Sequence, residues 1–410
     1  MMRPVLAIGA MLLATGAGAE TPPARPDNAY CASLAKALDR VGSGGPAFLR
    51  SYEPGPGEDE LPGPIRQSAF SYDNALAAIA LVACGDVARA RRIADAFVWV
   101  AGHDRTQDAV RIRNAYQAGA VDGSQAKLPG WWDNASSRWF EDAYQDGTAT
   151  GNVAWVALAL LNVHQAAPDG RYLQAVQGLL GWVDKVPGRA GAPGGYAGGV
   201  SGFDPAQEDL RWESTEHNVD VAAAAHWAHR LAGDPKLEGM ADRAGAFVAA
   251  RFQQDLGRFA IGTKADGADA EPRQVALDTQ LWPILGVPRP PADWGRAVQY
   301  AYRRLRAGDG MTFAGIGANQ WTEGTCQAAL ALHAVGDDDA SRALLAAAGR
   351  SVAPSGLLYA TSAGEVPTGL NVESSGGGEF KYYHRPHVGA TAWAAIATAH
   401  WNPFTGERVR

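Results

Sequence analysis

One sentence written six times constrains this chain more than anything else in it. Its clearest copy starts at Trp321-Thr322-Glu323-Gly324-Thr325-Cys326, continues through Ala328-Ala329-Leu330-Ala331-Leu332 and stops at Gly336-Asp337. A polar cluster opens the stretch, an Ala/Leu run follows, and Gly-Asp ends it. The same order recurs at Tyr72-Asp73-Asn74-Ala75, Thr150-Gly151-Asn152-Val153, Thr215-Glu216-His217-Asn218, Leu277-Asp278-Thr279-Gln280 and His387-Val388-Gly389-Ala390. Spacing between copies is uneven, so the repeat is degenerate with loops of variable length. A fixed internal unit decides architecture before any single motif does.

Each copy predicts a helix that is apolar on every face, at 72–84, 153–163, 219–231, 279–285, 325–335 and 390–399. All-round apolarity means burial on all sides. The first five are each followed by a helix with one apolar stripe, at 87–100, 171–186, 237–253, 292–306 and 340–351. In the first of these, Arg89, Arg91, Arg92 and Asp95 mark the wet face. Six inner helices therefore alternate with outer ones. The missing sixth outer place can be filled by a helix at 29–41, and a further turn is expected near 46–51. Inner-to-outer joints are tight, with Gly to stop and Asp to cap. Outer-to-inner connections are long and carry Gly with aromatic or β-branched residues, as in Gly257-Arg258-Phe259-Ala260-Ile261-Gly262, which predicts short β-hairpins. All six polar helix starts would then share one end with the long loops, where function concentrates.

Residues 1–19 read as an export signal, with Arg3, an apolar run from Val5 to Leu13 and Ala17-Gly18-Ala19 as cleavage site. A periplasmic or secreted protein is expected, with residues 20–410 as one domain. No later stretch reads as an integral membrane span. A net charge of −7 over 410 residues argues against nucleic acid, whose phosphates need a basic face. Three cysteines leave at least one unpaired; a Cys31–Cys84 bridge is open in an oxidising compartment. There is no CxxC, HExxH or Cys/His cluster, so neither cofactor nor metal is expected. His384 and His387 permit a metal by spacing but lack a third ligand.

Carboxylic acids sit at repeat-equivalent places: Asp73, Glu213, Glu216, Asp278 and Glu323, with Asp133, Glu373 and Glu379 in loops. Asp73 reads equally as a helix cap or as a reacting group. Glu323 is a poor cap beside Thr322, which can cap instead, and Trp321 would dry its surroundings and raise its pKa. Trp212-Glu213-Ser214-Thr215-Glu216-His217-Asn218 is the densest polar cluster, costly at the mouth of an apolar helix unless it binds something or caps. Asp278 and Gln280 follow the same logic, with capping favoured for Asp278. Lys381-Tyr382-Tyr383-His384-Arg385-Pro386-His387 mixes stacking rings with cationic donors suited to an anionic or hydroxyl-rich sugar. Trp131, Trp132, Trp139, Trp212, Trp321, Tyr382 and Tyr383 stand at loop-to-helix junctions, where rings either pack loops or stack on sugars.

Helix order and repeated junctions together resemble the (α/α)6 toroid of the six-hairpin glycosidase superfamily, over nearly all of residues 20–410. The resemblance implies an all-α fold, one (α/α)6 toroid with six inner and about six outer helices. It also implies chemistry on carbohydrate: glycoside hydrolysis by two carboxyl groups, inverting in toroids of this kind. Glu323 is then the expected general acid and Asp73 or Glu216 the base. Trp131, Trp132, Trp212, His217, Asn218, Asp278, Gln280, Trp321, Tyr382, Tyr383, His384 and His387 are the expected contacts to a polysaccharide or oligosaccharide. A sugar epimerase or polysaccharide lyase would use His217, His384 or Tyr383 instead. A non-catalytic glycan-binding protein would keep the aromatic groove without needing the acids.

Overall fold

A computed structural model describes residues 28–42, 44–55, 57–106, 110–188, 194–270, 273–371 and 379–410. The expected export signal, Glu373 and Gly376-Gly377-Gly378 lie outside the described residues.

The apolar runs are helices: α1 (Ala29–Asp39), α2 (Ser71–Cys84), α3 (Val87–Ala101), the short α4 (Ala143–Asp146), α5 (Thr150–Ala166), α6 (Gly170–Lys185), α7 (Thr215–Ala232) and α8 (Pro235–Ala250). They continue as α9 (Leu277–Leu281), α10 (Pro283–Gly286), α11 (Gly295–Arg304), α12 (Thr322–Ala334), α13 (Asp338–Ala348) and α14 (Val388–Thr398). The fourth repeat departs from expectation. Its inner helix is broken into α9 and α10, because Pro283 cannot donate into a continuing helix and crowds the preceding turn. Residues 46–51 are also not helical; Ala47–Phe48 is a strand paired with Gly119–Ala120.

Helix contacts run in a closed cycle. α2 packs on α5, α5 on α7, α7 on α10, α9 and α10 on α12, α12 on α14, and α14 back on α2. Outer helices sit over the joints: α3 touches α2 and α5, α6 touches α5 and α7, and α13 touches α12 and α14. α1 touches α14 and α2, which is the vacant outer place. Cys31 and Cys84 are disulfide-bonded, tying α1 to the end of α2, while Cys326 is a buried free thiol.

Alanine lets the inner helices approach closely, and four large rings fill their axis. Trp155, Trp282, Trp393 and Phe404 are fully buried or nearly so. Trp155 has its ring 5.1 Å from Trp282, 5.8 Å from Trp393 and 5.1 Å from Phe404. The axis is thus packed, and any cavity must lie above this plug. The Gly-Asp joints behave as read: Gly85, Gly233 and Gly336 take φ of 84°, 67° and 84°, and Asp86, Asp234 and Asp337 cap the following helices.

The strands are short, but many are not local hairpins. Ser68–Phe70, which leads into α2, pairs with Ala115–Gln117; Glu213–Ser214, leading into α7, pairs with Gly262–Thr263; Pro386–His387, leading into α14, pairs with Leu358–Tyr359. Each inner helix start is therefore clamped by a neighbouring connection.

Candidate active site

Numbering each inner helix from its first residue shows how the polar clusters divide. Fourth positions are Asn74, Val153, Asn218, Gln280, Thr325 and Thr391. Five of these hold backbone. Asn218 Oδ1 accepts the Tyr196 N–H at 2.7 Å, and its amide donates to Ser214 and Tyr196 carbonyls at 2.7 and 3.2 Å. Asn74 brackets Leu49, Gln280 brackets Phe259, and the Thr325 and Thr391 hydroxyls accept Met311 and Leu358 N–H groups. Asn218 and Gln280, expected to contact sugar, are instead fully buried staples with both amide hydrogens spent.

Second positions are Tyr72, Gly151, Glu216, Asp278, Glu323 and Gly389. Three are acids from consecutive inner helix starts, and they turn to the common end. The two glycines make room for rings. A Cβ on Gly389 would lie 2.5 Å from Asp73 Oδ1, 2.9 Å from His387 Cε1 and 3.0 Å from Glu323 Oε2. One on Gly151 would lie 2.4 Å from the His217 ring. A helix start without a side chain is what allows the groups of its neighbours to meet there.

Asp73, Glu323 and His387 bring their ligating atoms within 4.8 Å of one another, all buried. His387 caps α14: its Nδ1 accepts the Ala390 N–H at 3.2 Å, and Nε2 donates to Asp73 Oδ2 at 3.1 Å. Both ring nitrogens are thereby used, so this is a hydrogen-bonded knot. Tyr52 stacks on the imidazole at 4.3 Å. Burial opposes charge on His387, but Asp73 and Glu323 outweigh it and hold its pKa above the ordinary value. Asp73 caps nothing; α2 has no side-chain cap.

Glu323 is 1% exposed. Tyr72 Oη donates to its Oε1 at 2.8 Å and Gln327 Nε2 at 3.2 Å. Its Oε2 has no hydrogen-bond partner among the described residues and lies 4.0 Å from His387 Nδ1. Burial raises its pKa to about 8, against the pull of His387. Thr322 does not cap α12, and its hydroxyl is unpartnered among the described residues. Trp321 is buried against Phe313 and Tyr382 at 5.1 and 4.9 Å, so it dries the site and is no sugar platform.

Across α7 and α9 a second group forms. Glu216 is partly exposed and its pKa is raised well above the carboxylate range, first by burial and then by Asp278, Asp220 and Glu323. Asp278 is raised to about 6 by burial, while hydrogen bonds from the Thr279 N–H at 2.6 Å and from Glu216 restrain it. Asp278 caps no helix in the usual way, since α9 has no side-chain cap. Asp220, one turn into α7, is fully buried beside the Trp155 indole, which does not reach hydrogen-bond geometry. His217 is held neutral by burial, its pKa lowered to about 4, and its Nδ1 is unpartnered among the described residues.

Several other expected contacts fall elsewhere, while Trp212 and Tyr382 stay beside these groups. His384 stacks on Tyr359 and bonds the Thr361 carbonyl at 2.6 Å, so it does not meet His387 and the two form no metal pair. Tyr383 lies under the Arg385 guanidinium, which pairs with Glu58, and Lys381 pairs with Glu365. Trp131 packs over Gly63, while Trp132 and Trp139 form a cross-strand pair about half exposed on the Trp131–Asp133/Arg138–Phe140 hairpin. Asp133 holds the turn of that hairpin through Ser136, Glu213 bonds Thr263, and Glu379 accepts the Gly369 N–H. Trp212 tilts against His217 at 5.5 Å, and Tyr382, partly exposed, stands edge-on to His387 at 6.3 Å. Tyr72, Gln327, Tyr52 and Gly389 escaped sequence reasoning. Aligning second helix positions would have found Tyr72 and Gly389.

No family model matches the chain, and no curated protein matches it in sequence. Solved structures do. A glycosidase in complex with glucose has a TM-score of 0.57 at 15% identity, over 90% of this chain and 95% of that one. The cellobiose 2-epimerase of Bacillus thermoamylovorans has a TM-score of 0.60 at 9% identity, over 90% and 98%. A GH76 alpha-mannanase of Bacteroides thetaiotaomicron has a TM-score of 0.56 at 11% identity, over 90% and 95%. These neighbours are (α/α)6-toroid enzymes, and likeness at such low identity shows a shared fold.

Proposed function

We propose that this chain is an exported (α/α)6-toroid glycoside hydrolase that cleaves a polysaccharide or oligosaccharide by inversion. The closed cycle of inner helices, with α1 in the sixth outer place, supports the toroid reading. The Cys31–Cys84 disulfide supports an oxidising compartment. No helix among the described residues is long and apolar enough to cross a membrane.

What supports the reading most is two buried acids at second positions of neighbouring inner helices in unlike settings: Glu323 with an unpartnered oxygen, its pKa raised by burial to about 8, and Asp278, restrained by the Thr279 N–H and Glu216, raised to about 6. Hydrolysis needs that division of labour. Glu323 protonates the glycosidic oxygen as its bond to the anomeric carbon breaks. Asp278, with Glu216 holding the shared proton, takes a proton from the water that attacks the opposite face. Asp73 is a poor base for Glu323, because atoms of the two carboxyls lie within 4.8 Å and inversion needs a separation of about 6.5–9.5 Å. Asp73 and His387 instead set the field around the acid. Incubating the purified protein with a panel of defined neutral polysaccharides and reading new reducing ends tests this; no release from any of them sinks it.

A sugar epimerase is the second reading, and His217 favours it. A half-buried imidazole, its pKa lowered to about 4 and one nitrogen unpartnered among the described residues, can abstract a proton beside a carbonyl. Incubation of free disaccharides in deuterium oxide separates the two: carbon-bound deuterium in an epimer indicates epimerisation, new reducing ends hydrolysis. A lyase acting on uronates finds less support, since Lys381 and Arg385 are paired away.

A further inference from the structure

A chain of donors from α14 and α2 reaches one carboxyl oxygen of Glu323. Trp393 Nε1 lies 2.9 Å from Tyr72 Oη. An indole nitrogen can only donate, so Tyr72 Oη accepts there. The Tyr72 hydroxyl hydrogen is then free for one other acceptor in reach, Glu323 Oε1 at 2.8 Å. Gln327, one turn along α12, donates to the same oxygen at 3.2 Å. Two donors thus converge on Oε1. The opposite oxygen, Oε2, is buried, has no partner among the described residues, and lies against Gly389 on the side of Asp73 and His387. In a protonated carboxyl the carbonyl oxygen accepts and the hydroxyl oxygen bears the hydrogen, so Oε1 is suited to be the carbonyl and Oε2 the hydroxyl.

We propose that Tyr72, itself oriented by Trp393, is a positioning residue that keeps the acidic proton of Glu323 on Oε2, the oxygen that no donor occupies. This rests on reading Glu323 as the general acid. Tyr72 does not exchange a proton with substrate; it decides which way the acid faces. Each donor to Oε1 also favours the charged carboxylate, so removing one makes the acid harder to ionise.

The test needs no substrate. The full chain is labelled with 13C at glutamate carboxyls, and the Glu323 resonance is identified by its loss in Glu323→Gln. Its titration is expected to centre near 8, as burial sets it. Tyr72→Phe is expected to move the midpoint up by roughly half to one pH unit, the worth of one hydrogen bond. Trp393→Phe, which frees the tyrosine hydroxyl to turn away, is expected to move it in the same direction by less. An unchanged or lowered midpoint in Tyr72→Phe overturns the proposal. Should that variant not fold, Gln327→Leu removes the other Oε1 donor and must raise the midpoint; no rise there overturns it equally. Reducing-end release with an unmoved midpoint would sink the positioning role alone. The predicted shifts with no release from any glycan would sink the hydrolase reading alone.

Discussion

Two groups of acids gather at the same end of the inner helices, and their pKa values are raised by different means. On the α2, α12 and α14 side, Glu323 is isolated from solvent, held by Tyr72 and Gln327, and flanked by the Asp73–His387 pair. On the α7 and α9 side, Glu216 and Asp278 lean on each other, and Asp220 below them has neither oxygen partnered among the described residues. Burial on the first side makes one strong proton holder. Sharing on the second splits two similar groups into one that stays protonated and one that ionises, because like charges in close contact cannot both form cheaply. In the proposed hydrolysis the same residue type would serve opposite tasks according to its neighbours.

That contrast breaks most readily at Glu323. Glu323→Gln should lower kcat/KM by about 10²–10⁴, the usual worth of a positioned acid, and leave thermal unfolding little changed. In the wild type, kcat/KM against pH should rise through about 6 as Asp278 ionises and fall through about 8 as Glu323 loses its proton. A profile that is flat at its alkaline end would contradict the assignment. In the other group, Asp278→Asn should cost on the order of 10²-fold and Glu216→Gln clearly less, since glutamine still offers Asp278 an N–H. Equal losses would mean the two have been assigned the wrong way round.

Smaller effects separate the scaffold from the acids. Replacing Cys31 and Cys84 with serine should cost on the order of 2–4 kcal/mol in denaturant unfolding, since their bond closes a long loop, with activity in the surviving native fraction intact. Asn218→Ala should cost about 1–3 kcal/mol by stranding the buried Tyr196 N–H and carbonyl. Kinetic constants of the folded variant should stay within a few-fold of the parent. A loss as deep as that of Asp278→Asn would show that Asn218 touches substrate after all.

Much of the helical layout was legible because apolar periodicity and Gly-Asp joints are local signals. Pro283 was equally visible, yet the repeat pattern masked its consequence for the fourth inner helix. The site was harder to read. A polar residue at a helix start looks the same whether it staples a loop, as Asn218 and Gln280 do, or turns inward, as Glu216 and Glu323 do. Only its place in the first turn distinguishes them, and that place is set by where the helix begins, to within the one residue that sequence patterns blur. The role of Tyr72 depends on Trp393, 321 positions away, and no spacing rule links the two. His384 and His387 mislead in the opposite sense, since neighbours in sequence turn to different partners.

The place of α1 between α2 and α14 has a consequence for how the chain is made. α1 and α2 can meet early and be locked by their sulfur bond, but the groove they frame stays empty until the final repeat arrives, more than three hundred residues later. Contacts between such distant segments form slowly. Until then His387 is absent from Asp73, so the fully assembled cluster exists only after that late docking step.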